Sequence, residues 1–429
     1  MGRAFRIGIA GLGTVGSGVI EVIQKNGDLL TARAGRRIEI VKVSAQSKKK
    51  RPVDISAYEW TDMPEVIADD KSLDAVVELM GGSEGAARSL VTRALKNGRH
   101  VVTANKALLA HHGHELAMLA EKNNASLMFE AAVAGGIPII KALREGYAAN
   151  RIEAVYGILN GTCNYILTQM RETGRSFGDV LTEAQDKGYA EADPTFDVDG
   201  IDAGHKLSIL SAVAYGVKPE FKSMPLTGIR HLTATDIKFA SELGYKIKLL
   251  GIARNYDGRI MQSVEPCLVP ASSQIGAVEN AFNAVYVVGD FSDKQLLTGR
   301  GAGAGPTASA VVADIVDLAR GVKVPTFGVP APNLYTMKVM DRGATKSRFY
   351  LRMTVLDRPG VIADIAAILR DQKISMESVL QHGRAPDLPV DLVMTTHEAI
   401  YEDMKESCRR ITALDCTVSA PCLMPVVEL

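Results

Sequence analysis

The 429-residue sequence predicts an α/β protein with a mostly parallel sheet at its N-terminal end. Two observations carry that prediction. From residue 5 to about 132, apolar runs of strand length alternate with stretches of helical spacing, and the first run stops at a glycine-rich turn that opens a helix. Such alternation places helices over both faces of a sheet and makes its strands parallel.

The first strand is "FRIGIA" at 5–10, followed by the turn "GLGTVG" and the helix "TVGSGVIEVIQKN". Further strands are expected at 37–45, 74–80, 100–104 and 126–132. The helices at 85–98 and 106–124 close on Gly98 and on Asn123–Asn124, residues suited to helix ends. Residues 1–140 therefore read as a Rossmann-like dinucleotide-binding domain, completed by the glycine-rich turn and helix at about 300–325. Residues 141–299 read as a substrate-binding and dimerisation domain with a mixed sheet: strands at 245–254, 260–269 and 284–291, and a helix at about 202–215. Three prolines, Pro325, Pro330 and Pro332, mark a linker over 326–347. Beyond it, 348–429 shows a βαββαβ pattern, enough for one small domain.

Composition narrows the class. Hydrophobic residues make up 47% and charged residues 23%, as in globular proteins. Lys+Arg and Asp+Glu are equal at 49 each, which argues against a general nucleic-acid or membrane-surface role. Five scattered cysteines without a CxxC pair read as reduced thiols in a cytoplasmic protein. No apolar run approaches the ~18 residues of a membrane span, and the chain enters a strand at once, so no signal peptide is expected.

Gly11, Gly13 and Gly16 form G-x-G-x-x-G, with Leu12, Thr14 and Val15 between and beside them. Gly11 suits the tight turn, Gly13 the approach of a pyrophosphate, and Gly16 the packing of helix on strand, with free N–H groups facing the anion. An acid at the end of the second strand would favour NAD. The chain has instead Ser44, Ser47, Lys48, Lys49, Lys50 and Arg51, which favours the extra phosphate of NADP over NAD. An ordinary solvated basic loop is the competing reading. Lys106 follows the strand at 100–104, where it could contact cofactor, donate to a substrate oxygen, or simply sit exposed in a first helical turn.

The stretch "GYAEADPTFDVDGIDAGHK" at 188–206 is the most informative. Asp202 and Lys206 are four apart and share a helix face, amid small and apolar residues. As surface decoration such a pair contributes ~0.5 kcal/mol; partly buried, it is a proton donor with its orienting carboxylate. Glu191, Asp193, Asp197 and Asp199 lie on a Gly/Pro-punctuated loop suited to an ammonium group or a hard cation, although the spacing lacks a calcium loop's remaining ligands. "FEAAVAGGIPII" at 129–140 reads from spacing as a tight turn needing glycine. His111, His112, His114 and His205 read as ordinary exposed or packed histidines.

These motifs in this order ("GLGTVGSGV", "VVTANKALLA", "FEAAVAGGIPII", "GILNGTCNYILTQM", the acidic string and "GAGAGPTASAVVADI") resemble the homoserine dehydrogenases, of the bacterial type with a C-terminal ACT domain. The resemblance implies reversible NAD(P)H-dependent reduction of L-aspartate 4-semialdehyde to L-homoserine, feeding threonine, methionine and isoleucine synthesis. It implies Lys206 as proton donor with Asp202 beside it. Substrate contacts would come from Glu191, Asp197, Tyr189, Thr162 and Lys106. Cofactor contacts would come from residues 11–16, Lys49, Arg51, Lys106 and Gly303, and a sodium ion would bind through Glu130, Val133, Gly135 and Ile137. "LDRPGVIADIAAILRDQKISMESV" resembles an ACT domain, which implies L-threonine as effector and a homodimer or homotetramer. A reductase of another amino-acid aldehyde or keto acid, and a non-catalytic dinucleotide or amino-acid sensor, are the alternatives; the sensor has no need of a proton donor.

Overall fold

A computed structural model describes residues 2–48, 51–383 and 385–429. The chain forms two compact units. One comprises Met1–Gly161, Asp202–Met224 and Phe282–Met337; the other comprises Thr162–Ile201, Pro225–Ala281 and Lys338–Leu429.

In the first unit six parallel strands lie in the order Glu59–Thr61, Ile38–Ser44, Phe5–Ala10, Ala75–Glu78, His100–Thr103, Leu127–Met128. The order turns back between Phe5–Ala10 and Ala75–Glu78, the place where open α/β sheets bind ligands beyond their strand ends. Ile7, Ile9, Val76 and Val77 are fully buried because helices cover both faces. The helix Ala304–Arg320 joins the same core through Val311 and Ile315. The strand expected at 126–132 ends at Met128, and Glu130–Ala132 is a 3₁₀ turn. The reason is a tertiary contact: the Glu130 N–H donates to Asp314 Oδ2 at 2.8 Å, so this N–H is not available to a sheet.

The unit also holds the antiparallel strands Ile152–Ile158, Phe282–Gly289 and Asp293–Arg300, and the helix Ile201–Tyr215. The expected middle domain of 141–299 is thus divided between the two units, its ends and the lysine-bearing helix belonging to the first.

The second unit contains the helices Gly161–Thr173, Phe177–Asp186 and Ala234–Glu242 and a long hairpin of Tyr245–Tyr256 with Arg259–Pro270. Its C-terminal part has the expected βαββαβ order. Strands lie as Thr417–Val426, Lys346–Leu356, Pro389–Thr396, Met376–Gln381, all antiparallel. Helices Val361–Asp371 and Tyr401–Thr412 cover one face around Leu351, Met353, Ile365, Leu392, Met404 and Ile411. On the other face Arg352 grips Asp236 of the helix Ala234–Glu242 at 2.6 and 3.1 Å. The last strand also runs onto the hairpin, Val427 N–H donating to Leu268 O at 2.8 Å. Residues 348–429 are therefore part of a larger unit, not a compact body of their own. Nor is 326–347 a loose linker: Phe327 is fully buried against Phe129, and buried Arg342 pairs with Glu265 at 2.8 Å. Proline content signals irregular backbone and says nothing of such anchors.

Candidate active site

The glycine turn joins the first strand to the helix Thr14–Lys25. Gly11 has φ +97°, a left-handed conformation that disfavours any other residue. A Cβ at Gly16 would lie 2.0 Å from Gly11 O, so only glycine allows this helix to start so close to the strand. Gly13 and Thr14 are exposed at the helix N-terminus, where unpaired N–H groups favour an anion. Leu12 turns its side chain into the core, so its main chain alone is left for a ligand. A cavity of about 630 Å³ opens here, lined by Gly11, Gly13, Ser44, Ser47 and Arg51 among others. The Arg51 guanidinium donates to Leu12 O at 2.5 Å and to Ser47 O at 2.8 Å, bringing a fixed positive charge against the glycine turn. Lys48 instead lies over the Trp60 ring at 4.8 Å. Lys49 falls outside the described residues. Gly303, with φ +110°, is the N-cap of the helix Ala304–Arg320 and is exposed.

The acid–lysine pair is on the helix Ile201–Tyr215, whose residues 202–213 are all buried. Burial on every side leaves no polar face, which is why the pair is far from a surface ion pair. Asp202 is 3% and Lys206 9% exposed. Lys206 Nζ donates to Asp202 Oδ2 and to Leu159 O, both at 2.7 Å. Asn160 Nδ2 donates to Asp202 Oδ2 at 2.8 Å, and Lys106 Nζ reaches Asp202 Oδ1 at 3.0 Å. One carboxylate thus bridges two lysines that are a hundred residues apart in sequence. Burial alone would raise the Asp202 carboxyl; the charges of Lys206 and Lys106 and the hydrogen bonds from Lys206 and Asn160 outweigh it, holding the group well below the ordinary range and ionised.

Lys106 is aimed by its neighbours. It opens the helix Lys106–Lys122, capped by Asn105, whose side chain accepts from Leu108 N–H at 3.0 Å and donates to Gly82 O at 2.7 Å. His205 lies beside Lys206 in an aromatic box, its ring centroid 5.2 Å from that of His111 and 4.2 Å from that of Phe221. Burial pushes its imidazole down to about 4, with His111 adding to the effect, so it is neutral at pH 7 and packed, as its sequence context implied.

The remaining acidic loop is in the second unit. Thr162 Oγ1 donates to Tyr189 O at 2.6 Å, and the Tyr189 ring lies 4.8 Å from that of Tyr165. Gln185 Nε2 donates to the carbonyls of Glu191 and Ala192 at 3.0 and 3.2 Å, leaving the Glu191 side chain exposed. Asp197 is on the short helix Thr195–Val198, and its carbonyl accepts from Cys163 Sγ at 3.3 Å. Asp199 is committed to Arg230 at 2.5 Å. Of the five acids that cluster in sequence, Asp202 pairs with the lysines of its own unit, and Glu191, Asp193, Asp197 and Asp199 belong to the other unit.

At 130–137, Glu130 is buried, and its carboxylate accepts from Ile140 and Lys141 N–H at 2.8 and 2.9 Å. That side chain is occupied, and among the described residues no group of three or more His, Cys, Asp or Glu could hold a metal ion. Main-chain oxygens are another matter. Ala134 and Gly135 are successive left-handed residues, φ +55° and +51°, which turn the carbonyls of this loop out of any regular ladder. Ile137 O is already shared with Ile139 N–H at 2.7 Å.

Sequence reasoning singled out Asp202, Lys206 and Lys106 but not Asn160, the Leu159 carbonyl or Gln185. Asn160 stood inside a quoted motif and Gln185 just before the acidic string; a main-chain acceptor leaves no trace in side-chain identity.

Comparison with known proteins returns one enzyme family. The model for the NAD-binding domain of homoserine dehydrogenase matches residues 11–130, and the homoserine dehydrogenase model matches 138–316. A homoserine dehydrogenase of Neisseria gonorrhoeae is 46% identical over 99% of both chains. The crystal structure of one from Thiobacillus denitrificans superposes with a TM-score of 0.94 at 44% identity, over 99% of both chains. A hyperthermophilic archaeal homoserine dehydrogenase mutant in complex with NADPH covers 75% of this chain and 99% of its own, at TM-score 0.65 and 28% identity.

Proposed function

Since the chain belongs to the homoserine dehydrogenase family, we propose that it interconverts L-aspartate 4-semialdehyde and L-homoserine with NADP(H) in preference to NAD(H). The observation that carries the mechanism is the buried Asp202–Lys206 pair at 2.7 Å.

The Lys206 ammonium has three N–H groups. Asp202 and Leu159 O take two of them, and the third is the proton for the substrate's carbonyl oxygen as it becomes an alkoxide. In the other direction the same nitrogen, once neutral, accepts the hydroxyl proton. Asp202 fixes the direction of the Lys206 ammonium; Lys106, held on the other carboxylate oxygen, works at the border of substrate and cofactor. The bound nicotinamide supplies or accepts the hydride. Glu191 and Asp197 take the substrate's ammonium group, and Tyr189 and Thr162 make further contacts to the substrate. The glycine turn with Gly303 would hold the dinucleotide, and Arg51, fixed against that turn, would meet the 2′-phosphate of NADP; an archaeal relative was solved in complex with NADPH.

Three finer readings follow. Carbonyls of Glu130, Val133, Gly135 and Ile137 bind a sodium ion, since the loop's left-handed turn at 134–135 frees main-chain oxygens and the Glu130 carboxylate is occupied. The C-terminal βαββαβ module is an ACT domain, a fold reading favoured by its strand order and two-helix face, and L-threonine inhibits through it. The working form is a homodimer or homotetramer in the cytoplasm; no helix among the described residues is long and apolar enough to cross a membrane.

Lys206→Ala tests the central claim. NADPH binding, followed by nucleotide fluorescence, should be retained, while semialdehyde-dependent NADPH oxidation falls by ~10²–10⁴. Near-normal turnover would end the assignment. A panel of other semialdehydes and keto acids separates it from the alternative reductase, and titrations of sodium and L-threonine against the full chain test the finer readings.

A further inference from the structure

Asn283 is 1% exposed, at the start of the strand Phe282–Gly289, and its Nδ2 donates to Leu159 O at 3.1 Å. The same carbonyl accepts the Lys206 ammonium at 2.7 Å. One oxygen therefore receives two donors, and the position of the lysine depends on where the asparagine holds that peptide. Pairing of the strand Ile152–Ile158 with Phe282–Gly289 ends at Ile158 with Ala284, so Leu159 lies just past it.

Asn283 is itself trapped. Its amide lies flat against Gly301, in the loop before the helix Ala304–Arg320: a Cβ at Gly301 would meet Asn283 Cγ and Nδ2 at 2.1 Å and Oδ1 at 2.4 Å. Asn283 Oδ1 is buried without a hydrogen-bond partner, a cost that an apolar residue of the same size would avoid. An amide at this position fits a demand for its N–H.

We infer that Asn283 is a positioning residue for the proton donor, acting on Lys206 through the Leu159 carbonyl and clamped by the missing side chain of Gly301. The inference rests on Lys206 as the donor. Asn283 touches neither substrate nor cofactor in this scheme; its effect passes entirely through the lysine.

The experiment is a set of variants in the full enzyme: Asn283→Ala, Gly301→Ala, their double, Lys206→Ala, and Lys206→Ala combined with Asn283→Ala. Each of the first two should lower kcat by about tenfold or more, part of what a positioned acid contributes. KM for NADPH and for the semialdehyde should change by less than about threefold, since binding groups are untouched. The Gly301→Ala change should cost nothing further once Asn283 is alanine, because the methyl then has no amide to displace. Asn283→Ala should likewise have no effect on the residual rate of Lys206→Ala. Thermal melts and nucleotide fluorescence close to those of the parent keep misfolding from imitating this result. Normal kcat in Asn283→Ala, or losses that add in either double variant, would overturn the inference while leaving the role of Lys206 intact. An active Lys206→Ala enzyme would instead remove the reading beneath it.

Discussion

The Asp202 carboxylate and the Lys206 ammonium stand 2.7 Å apart, one helical turn from each other and both buried. On an exposed helix this spacing is worth little; inside the protein it leaves no room for either partner to be neutralised alone. Asp202→Asn keeps the shape and removes the charge that two lysines share. Its kcat should fall ~10²-fold or more, since the donor loses its orienting partner. Denaturant unfolding should show a loss of about 3–5 kcal/mol, as for a broken buried ion pair. An unchanged unfolding midpoint with full activity would contradict both expectations.

Cofactor choice turns on Arg51, which reaches from the basic loop to the glycine turn. Arg51→Ala should reduce the ratio of kcat/KM for NADPH over NADH by about tenfold or more, given ~1.5–3 kcal/mol for a charge-assisted hydrogen bond. The ratio should move through NADPH, with NADH turnover little altered. An unaltered ratio would leave the basic loop as a solvated surface.

A pH dependence of stability is built into the core of the first unit. Burial, reinforced by Asp314, pushes the Glu130 carboxyl up from 4.5 to about 7. Burial likewise raises Asp314 from 3.8 to about 6, against the pull of Lys141. Between the unfolded and folded values the native state binds more protons, so this contribution is full below about 4 and is lost as pH rises toward 7. Asp314→Asn removes one titrating group and its repulsion of Glu130, so the fall in melting temperature between pH 5 and 8 should flatten. A slope as steep as the parent's would show that other groups set it.

Arg352 lies almost wholly inside the second unit, paired bidentately with fully buried Asp236, which also accepts from Thr233 N–H at 2.9 Å as a helix cap. Arg352→Met strands that carboxylate and should destabilise by about 3–5 kcal/mol. Adding Asp236→Leu should recover part of the loss, but not all, because the cap is then missing. Recovery beyond the parent would mean that the cap contributes nothing here.

Local pattern carried much of this protein. Periodicity and turn residues were enough for the parallel sheet, the glycine turn and the C-terminal βαββαβ order, because each depends on neighbours close in sequence. The same holds for the spacing of Asp202 and Lys206, four residues on one helix. What local pattern missed were elements with weak apolar periodicity, such as Gly161–Thr173 and Ala234–Glu242, and the anchors that draw Phe327 and Arg342 into the cores.

Only the tertiary structure decided which groups share a site. It brought Lys106 to the second oxygen of Asp202 and set the Leu159 carbonyl against Lys206. Sequence determines side-chain identity and local spacing; the burial that keeps a charge pair dry, and the main-chain oxygens that complete it, exist only once distant segments have packed together.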